Sequence, residues 1–150
     1  MYRIFSALLA AVIMVSAAYA DDGLVKIKSA HSVPETLDRL EHALTEKGMT
    51  VFARIDHSGG AEKVGMQLRP TELLIFGNPK VGTLLMQSNQ DAGIDLPLKA
   101  LAWEDSNGDV WLVYNEPGYL VSRHQIADRD PVTEKMRKAV QAFSMAATRK

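Results

Sequence analysis

The sequence predicts an α+β domain, a two-layer sandwich in which one mixed or antiparallel sheet carries helices on one face. Three observations lead there. Short runs with strand-like apolar content recur along the chain. Between them lie stretches with apolar residues every three or four positions, opened by capping residues or proline. Finally, Ser106-Asn107-Gly108-Asp109 separates two apolar runs, the strongest short-range signal for an antiparallel hairpin.

The first element is an export signal rather than part of the fold. Met1-Tyr2-Arg3 is a short basic lead, an apolar run extends from Ile4 to about Ala18, and Ala18-Tyr19-Ala20 is a small-x-small cleavage pattern. Residues 1–20 are therefore read as a signal peptide cut after Ala20, and 21–150 as a single domain. A periplasmic or secreted location follows. Removing Arg3 from 17 Lys and Arg leaves 16 against 18 acidic residues, a charge of −2. That balance argues against a phosphate-tracking surface, so nucleic acid is not expected as a partner. There is no cysteine. A lipid-modified cysteine, a disulfide staple and thiol catalysis are excluded together. No later apolar run is long enough to span a membrane.

Leu24 to Ser29 alternates after Leu24 as a half-buried strand does. Ser32-Val33-Pro34-Glu35 is a capping box, and Val33, Leu37, Leu40 and Leu44 form one helical stripe that ends at Gly48. Glu35 and Arg39 are four apart on its wet face. Met49 to Ile55 is the second strand, Asp56 to Gly60 breaks it, and Ala61 to Gly65 is a short helix. Thr71 to Gly77 is apolar on successive residues, as expected of an inner strand. Asn78 caps a helix with Pro79 at its first position. A polar loop from about Ser88 to Asp95 leads to the hairpin strands, Leu98 to Glu104 and Val110 to Asn115. Leu101, Trp103, Trp111 and Leu112 read as core. A short helical segment runs from Pro117 to about His124. The last helix, about 131–148, starts at Asp130-Pro131 and carries Val132, Met136, Val140 and Phe143 on one stripe.

Several segments read together resemble the bacterial "domain of unknown function 302" family. They are Val51 to His57, Leu68 to Thr71, Leu74-Ile75-Phe76-Gly77-Asn78-Pro79-Lys80, Gly82 to Met86, Asp95-Leu96-Pro97-Leu98-Lys99, Trp103-Glu104-Asp105 and Val113-Tyr114-Asn115. The resemblance covers about residues 24–124. It implies a compact α+β fold and a homodimer, and it supplies no transferable activity.

Two turns are candidate sites. Asp56-His57 lies at a strand end beside two glycines, and histidine can act as acid, base or ligand near neutral pH. The plainer reading makes Asp56 a helix cap and His57 a local hydrogen-bonder. Gly77-Asn78, with Lys80, presents free backbone N–H groups at a helix start, where anions settle; the plainer reading is a capped turn. If the two preceding strands were parallel neighbours, Asp56, His57 and Asn78 would line one cleft. Arg69 precedes a proline and can clamp a carboxylate or form a surface ion pair. Tyr114 can serve a polar rim or pack in the sheet. The four histidines lack zinc-protease spacing, and no metal site or cofactor is predicted; a single-histidine haem site is the alternative. Three functions stay open. One is a binding module near Asp56, His57 and Asn78. Another is an enzyme with His57 as general acid/base and Arg69 holding an acidic substrate. The last is a haem- or interaction-type protein without a catalytic pocket.

Overall fold

A computed structural model describes residues 23–150, so the signal-peptide expectation for residues 1–20 lies outside the described residues. Five strands form one sheet: β1 (Leu24–Ser29), β2 (Thr50–Asp56), β3 (Thr71–Gly77), β4 (Leu98–Glu104) and β5 (Val110–Asn115). Their spatial order is β1-β5-β4-β3-β2. Every pairing is antiparallel. The mixed alternative is thereby set aside.

Among the described residues the five helices are α1 (Val33–Glu46), α2 (His57–Lys63), α3 (Pro79–Ser88), α4 (Pro117–Arg123) and α5 (Asp130–Thr148), with a 3-10 turn at Gln90–Ile94. Ser32 caps α1, its side chain accepting from the Glu35 N–H, and Val33, Leu37, Leu40 and Leu44 are buried on the stripe their spacing predicts. Burying each leucine removes it from water at a gain of about 1.5–3 kcal/mol. Arg39 does not pair with Glu35. It donates instead to the carbonyls of Ala146 and Arg149, while Glu35 pairs with His31. These contacts set the C-terminal end of α5 against the N-terminal half of α1, so the two helices run in opposite senses.

The core lies between these helices and one sheet face. That face presents Leu74 and Phe76 from β3, Ala100 and Ala102 from β4, and Leu112 and Tyr114 from β5. Alternation sends the intervening residues to the other side. There Leu73, Ile75, Leu101, Trp103, Trp111 and Val113 are half-buried, and Lys26 lies 4.5 Å and 4.3 Å from the Trp103 and Trp111 ring centres. Of the four hairpin residues expected in the core, Leu112 is enclosed beneath the helices. Leu101, Trp103 and Trp111 belong to the opposite face, because a strand buries only every second side chain against a single helical layer.

The β4–β5 turn forms as its sequence predicts. Gly108 has φ of 79°, which a glycine tolerates. The Asp105 carboxylate accepts from the N–H groups of Asn107 and Asp109 and from the Trp111 indole. Those bonds, the Trp111 indole first, hold the Asp105 carboxyl below its ordinary range.

Candidate functional site

The two candidate turns sit at opposite ends of the sheet. Because β2 and β3 are antiparallel, Asp56 lies opposite Glu72, while Gly77 lies opposite Thr50. Six residue steps along β2, about 20 Å of extended chain, separate them. The parallel arrangement that would have joined Asp56, His57 and Asn78 in one cleft does not occur.

At the first end, Asp56 is the N-cap of α2. Its Oδ1 accepts from the Gly59 N–H at 2.8 Å and the Ser58 hydroxyl at 2.7 Å, and these bonds, the Gly59 one foremost, lower its pKa. The helix starts at His57, four residues before the expected position, because Asp56 supplies the cap directly. His57 is exposed, and among the described residues no carboxylate lies within ion-pair distance of it. Asp56 and Arg69 line the same open pocket, about 740 Å³ in volume, with Ser58, Glu62 and Met66. Arg69 donates from Nε to the Glu104 carbonyl. His57 is not among the residues lining this pocket.

The second end is different. Asn78 caps α3, its Oδ1 accepting from the N–H groups of Lys80 at 3.0 Å and Val81 at 3.4 Å. Gly77 is buried where a Cβ would stand 3.4 Å from Pro97, so the chain there is closely overlaid. Both residues open onto a cavity of about 690 Å³ between α3, α5 and the adjoining end of the sheet. Val81 and Leu84 of α3, Leu98 of β4, and Val132, Val140 and Phe143 of α5 supply much of its apolar wall. Its polar lining side chains are Asn78, Lys47 and Lys135. The volume falls within the range of small-molecule sites. Lys80 is exposed and does not line it.

Tyr114 belongs to neither end. It is 6% exposed on the helix-covered sheet face, its hydroxyl bonded to Ser144, and burial raises its pKa. It therefore packs in the sheet rather than forming a polar rim.

Sequence reading missed most of the cavity. Lys47 and Met49 follow α1, and Lys135 stands among the polar residues of α5. The available signal was the stripe Val132, Met136, Val140 and Phe143, which reads as core; here one stripe serves both core and cavity. Also missed was the His124–Asp95 pair, a 2.6 Å contact between two segments 29 residues apart. Among the described residues, no group of three or more His, Asp or Glu is placed to hold a metal ion.

The profile of the family described as domain of unknown function DUF302 matches residues 25–143. The chain belongs to the DUF302 family. The crystal structure of an uncharacterized conserved DUF302 protein from Bacillus stearothermophilus shares the fold, with a TM-score of 0.76 at 20% identity over 84% of this chain and 98% of that one. Two curated relatives also match, each 51% identical over 110 residues and 73% of this chain: "Fluoride-specific ion channel FluC 1" of Brucella suis biovar 1 and its namesake in Brucella abortus biovar 1. The DUF302 chain spans 43% and 41% of their lengths, less than half of each. Among the described residues, no helix of this DUF302 protein is long and apolar enough to cross a membrane.

Proposed function

We propose that this DUF302 protein is exported to the periplasm or beyond and works as a small-ligand-binding module, with its seat in the cavity beside Gly77 and Asn78 rather than at Asp56 and His57. One observation carries the reading: the 690 Å³ cavity is apolar over most of its wall and keeps a few polar side chains on its lining. The acid/base alternative has less support, since His57 has no carboxylate to orient its ring. The reading invokes no cofactor. An absorption spectrum of protein purified from its native compartment checks that point, a Soret band pointing to haem.

The decisive experiment titrates the chain beginning at Asp21 with a neutral naphthylamine fluorophore. Saturable binding at one site is expected. Ala139→Trp, which projects a large ring into the cavity from α5, should abolish it while leaving the far-ultraviolet dichroism intact. Absence of saturable binding, or binding untouched by that variant, overturns the reading.

A homodimer is part of the same proposal. It is supported by the sheet face that carries no helix among the described residues, where Leu73, Ile75, Leu101 and Val113 form an apolar strip that solitary proteins seldom leave open. Native mass spectrometry of wild type and Leu101→Lys tests it: a monomeric wild type sinks the dimer.

A second reading is favoured by the two Brucella relatives. Their matched stretch belongs to chains named as fluoride-specific ion channels. A role beside such a channel predicts that deleting this gene alters the fluoride concentration that stops growth. Unchanged sensitivity removes that reading.

A further inference from the structure

The cavity has an uneven chemistry that narrows what it can take. Its long wall is α5, where Val132, Lys135, Met136, Val140 and Phe143 recur on one side. From Val132 to Phe143 the helix rises about 16 Å. Two methionines, Met49 and Met136, add flexible side chains that adapt to a ligand's contour. Such a surface rewards an extended hydrocarbon, at about 0.8 kcal/mol per methylene taken from water.

The charged lining is of one sign. Lys47 follows the last turn of α1 and Lys135 lies in the second turn of α5; no Asp or Glu lines the cavity. Among the described residues, neither lysine has a carboxylate within ion-pair distance. Lys28 and Lys138, which lie elsewhere, do pair, with Asp109 and Glu134. The antiparallel course of α1 and α5 brings these two lysines, 88 residues apart in the sequence, to the lining of one cavity. An ammonium on a flexible stem can meet a charged head while its methylenes stay on apolar surface. A cationic head would meet two like charges and no acid. A neutral head would leave both lysines solvated and uninvolved.

We propose that the ligand is a single-chain amphiphile with an anionic head, a carboxylate or a phosphate, its acyl chain along α5 and its head between Lys47 and Lys135. This rests on the reading that the cavity is the ligand seat. Exported protein of this kind would carry or sense a fatty acid or a lysophospholipid-like molecule in an aqueous compartment.

The test displaces the neutral fluorophore with four probes of equal chain length: dodecanoate, dodecyl phosphate, dodecanol and dodecyltrimethylammonium. At low salt, one or both anions should bind roughly two- to fivefold tighter than dodecanol, the size of a single exposed ion pair. The preferred anion identifies the head group. Added salt should shrink the margin. Lys47→Gln with Lys135→Gln should erase it while leaving dodecanol affinity unchanged, which shows that the fold and cavity persist. If dodecanol or the ammonium probe binds as well as both anions, the anionic head is wrong and the cavity reading stands. An anion preference that survives the double variant also overturns the proposal. If no probe displaces a fluorophore whose binding Ala139→Trp abolishes, the amphiphile proposal fails and the cavity reading stands.

Discussion

Nε2 of His124 lies 2.6 Å from Oδ2 of Asp95, joining the residue that closes α4 to the residue that closes the 3-10 turn. His124 is 8% exposed and the Asp95 side chain 16%. The same junction is held by Asn89, whose amide donates to the His124 carbonyl at 2.8 Å. Asp95 in turn leads directly into Leu96, a cavity-lining residue. Asp95→Ala leaves the imidazole without its partner, and should lower unfolding free energy by about 1–3 kcal/mol. Urea denaturation reads the change; a loss under about 0.5 kcal/mol, the noise of an ordinary surface substitution, would mean the pair contributes little.

Asp105 makes acid sensitivity testable. Its pKa is lowered in the folded state, so its contribution is present above the ordinary carboxylate value, roughly 3.9, and is lost as pH falls through the depressed folded value. Asp105→Asn should therefore be less stable than wild type near neutrality, and the gap should narrow below about pH 4. Thermal melts across an acid series measure it. A gap that stays constant with pH would assign the effect to turn geometry alone.

Gly108 has open space around a hypothetical Cβ but a φ of 79°. Gly108→Ala should thus cost about 1–2 kcal/mol through backbone strain rather than collision. Gly108→Asn should recover part of that, since asparagine visits the left-handed region more readily. Equal stability of all three would remove the strain argument.

Leu112 is fully buried between the sheet and the helices. Leu112→Ala should destabilise by about 2–5 kcal/mol. Its strand neighbour Val113 faces the other side of the sheet, and Val113→Ala should cost less than half as much in the isolated protomer. A larger cost at Val113 than at Leu112 would show the outer face covered.

His57→Ala separates the two ends of the sheet. The side chain is exposed, so stability should stay within about 0.5 kcal/mol and probe binding in the cavity should not change. Asp56→Ala should cost about 1 kcal/mol through loss of the α2 cap. A loss of cavity binding in either variant would contradict the 20 Å separation along the strand.

The element order was legible because each element announces itself locally. The capping box at Ser32, the cap at Asn78, the Asn107-Gly108 turn and the α1 stripe all work through contacts within a few residues. The sequence also determined, without any fold, that no thiol, disulfide or lipidated cysteine takes part. Strand order was decided only by the tertiary structure, since both parallel and antiparallel neighbours satisfy the same alternation. That single fact carried Asp56 and Asn78 to opposite ends of β2 and β3. It also decided which half of each hairpin strand meets helices, moving Trp103 and Trp111 out of the core. The cavity likewise needed the fold. Lys47 and Lys135 are 88 residues apart in the chain, and no local pattern marks either, because the antiparallel packing of α1 on α5 is what brings them to the same wall.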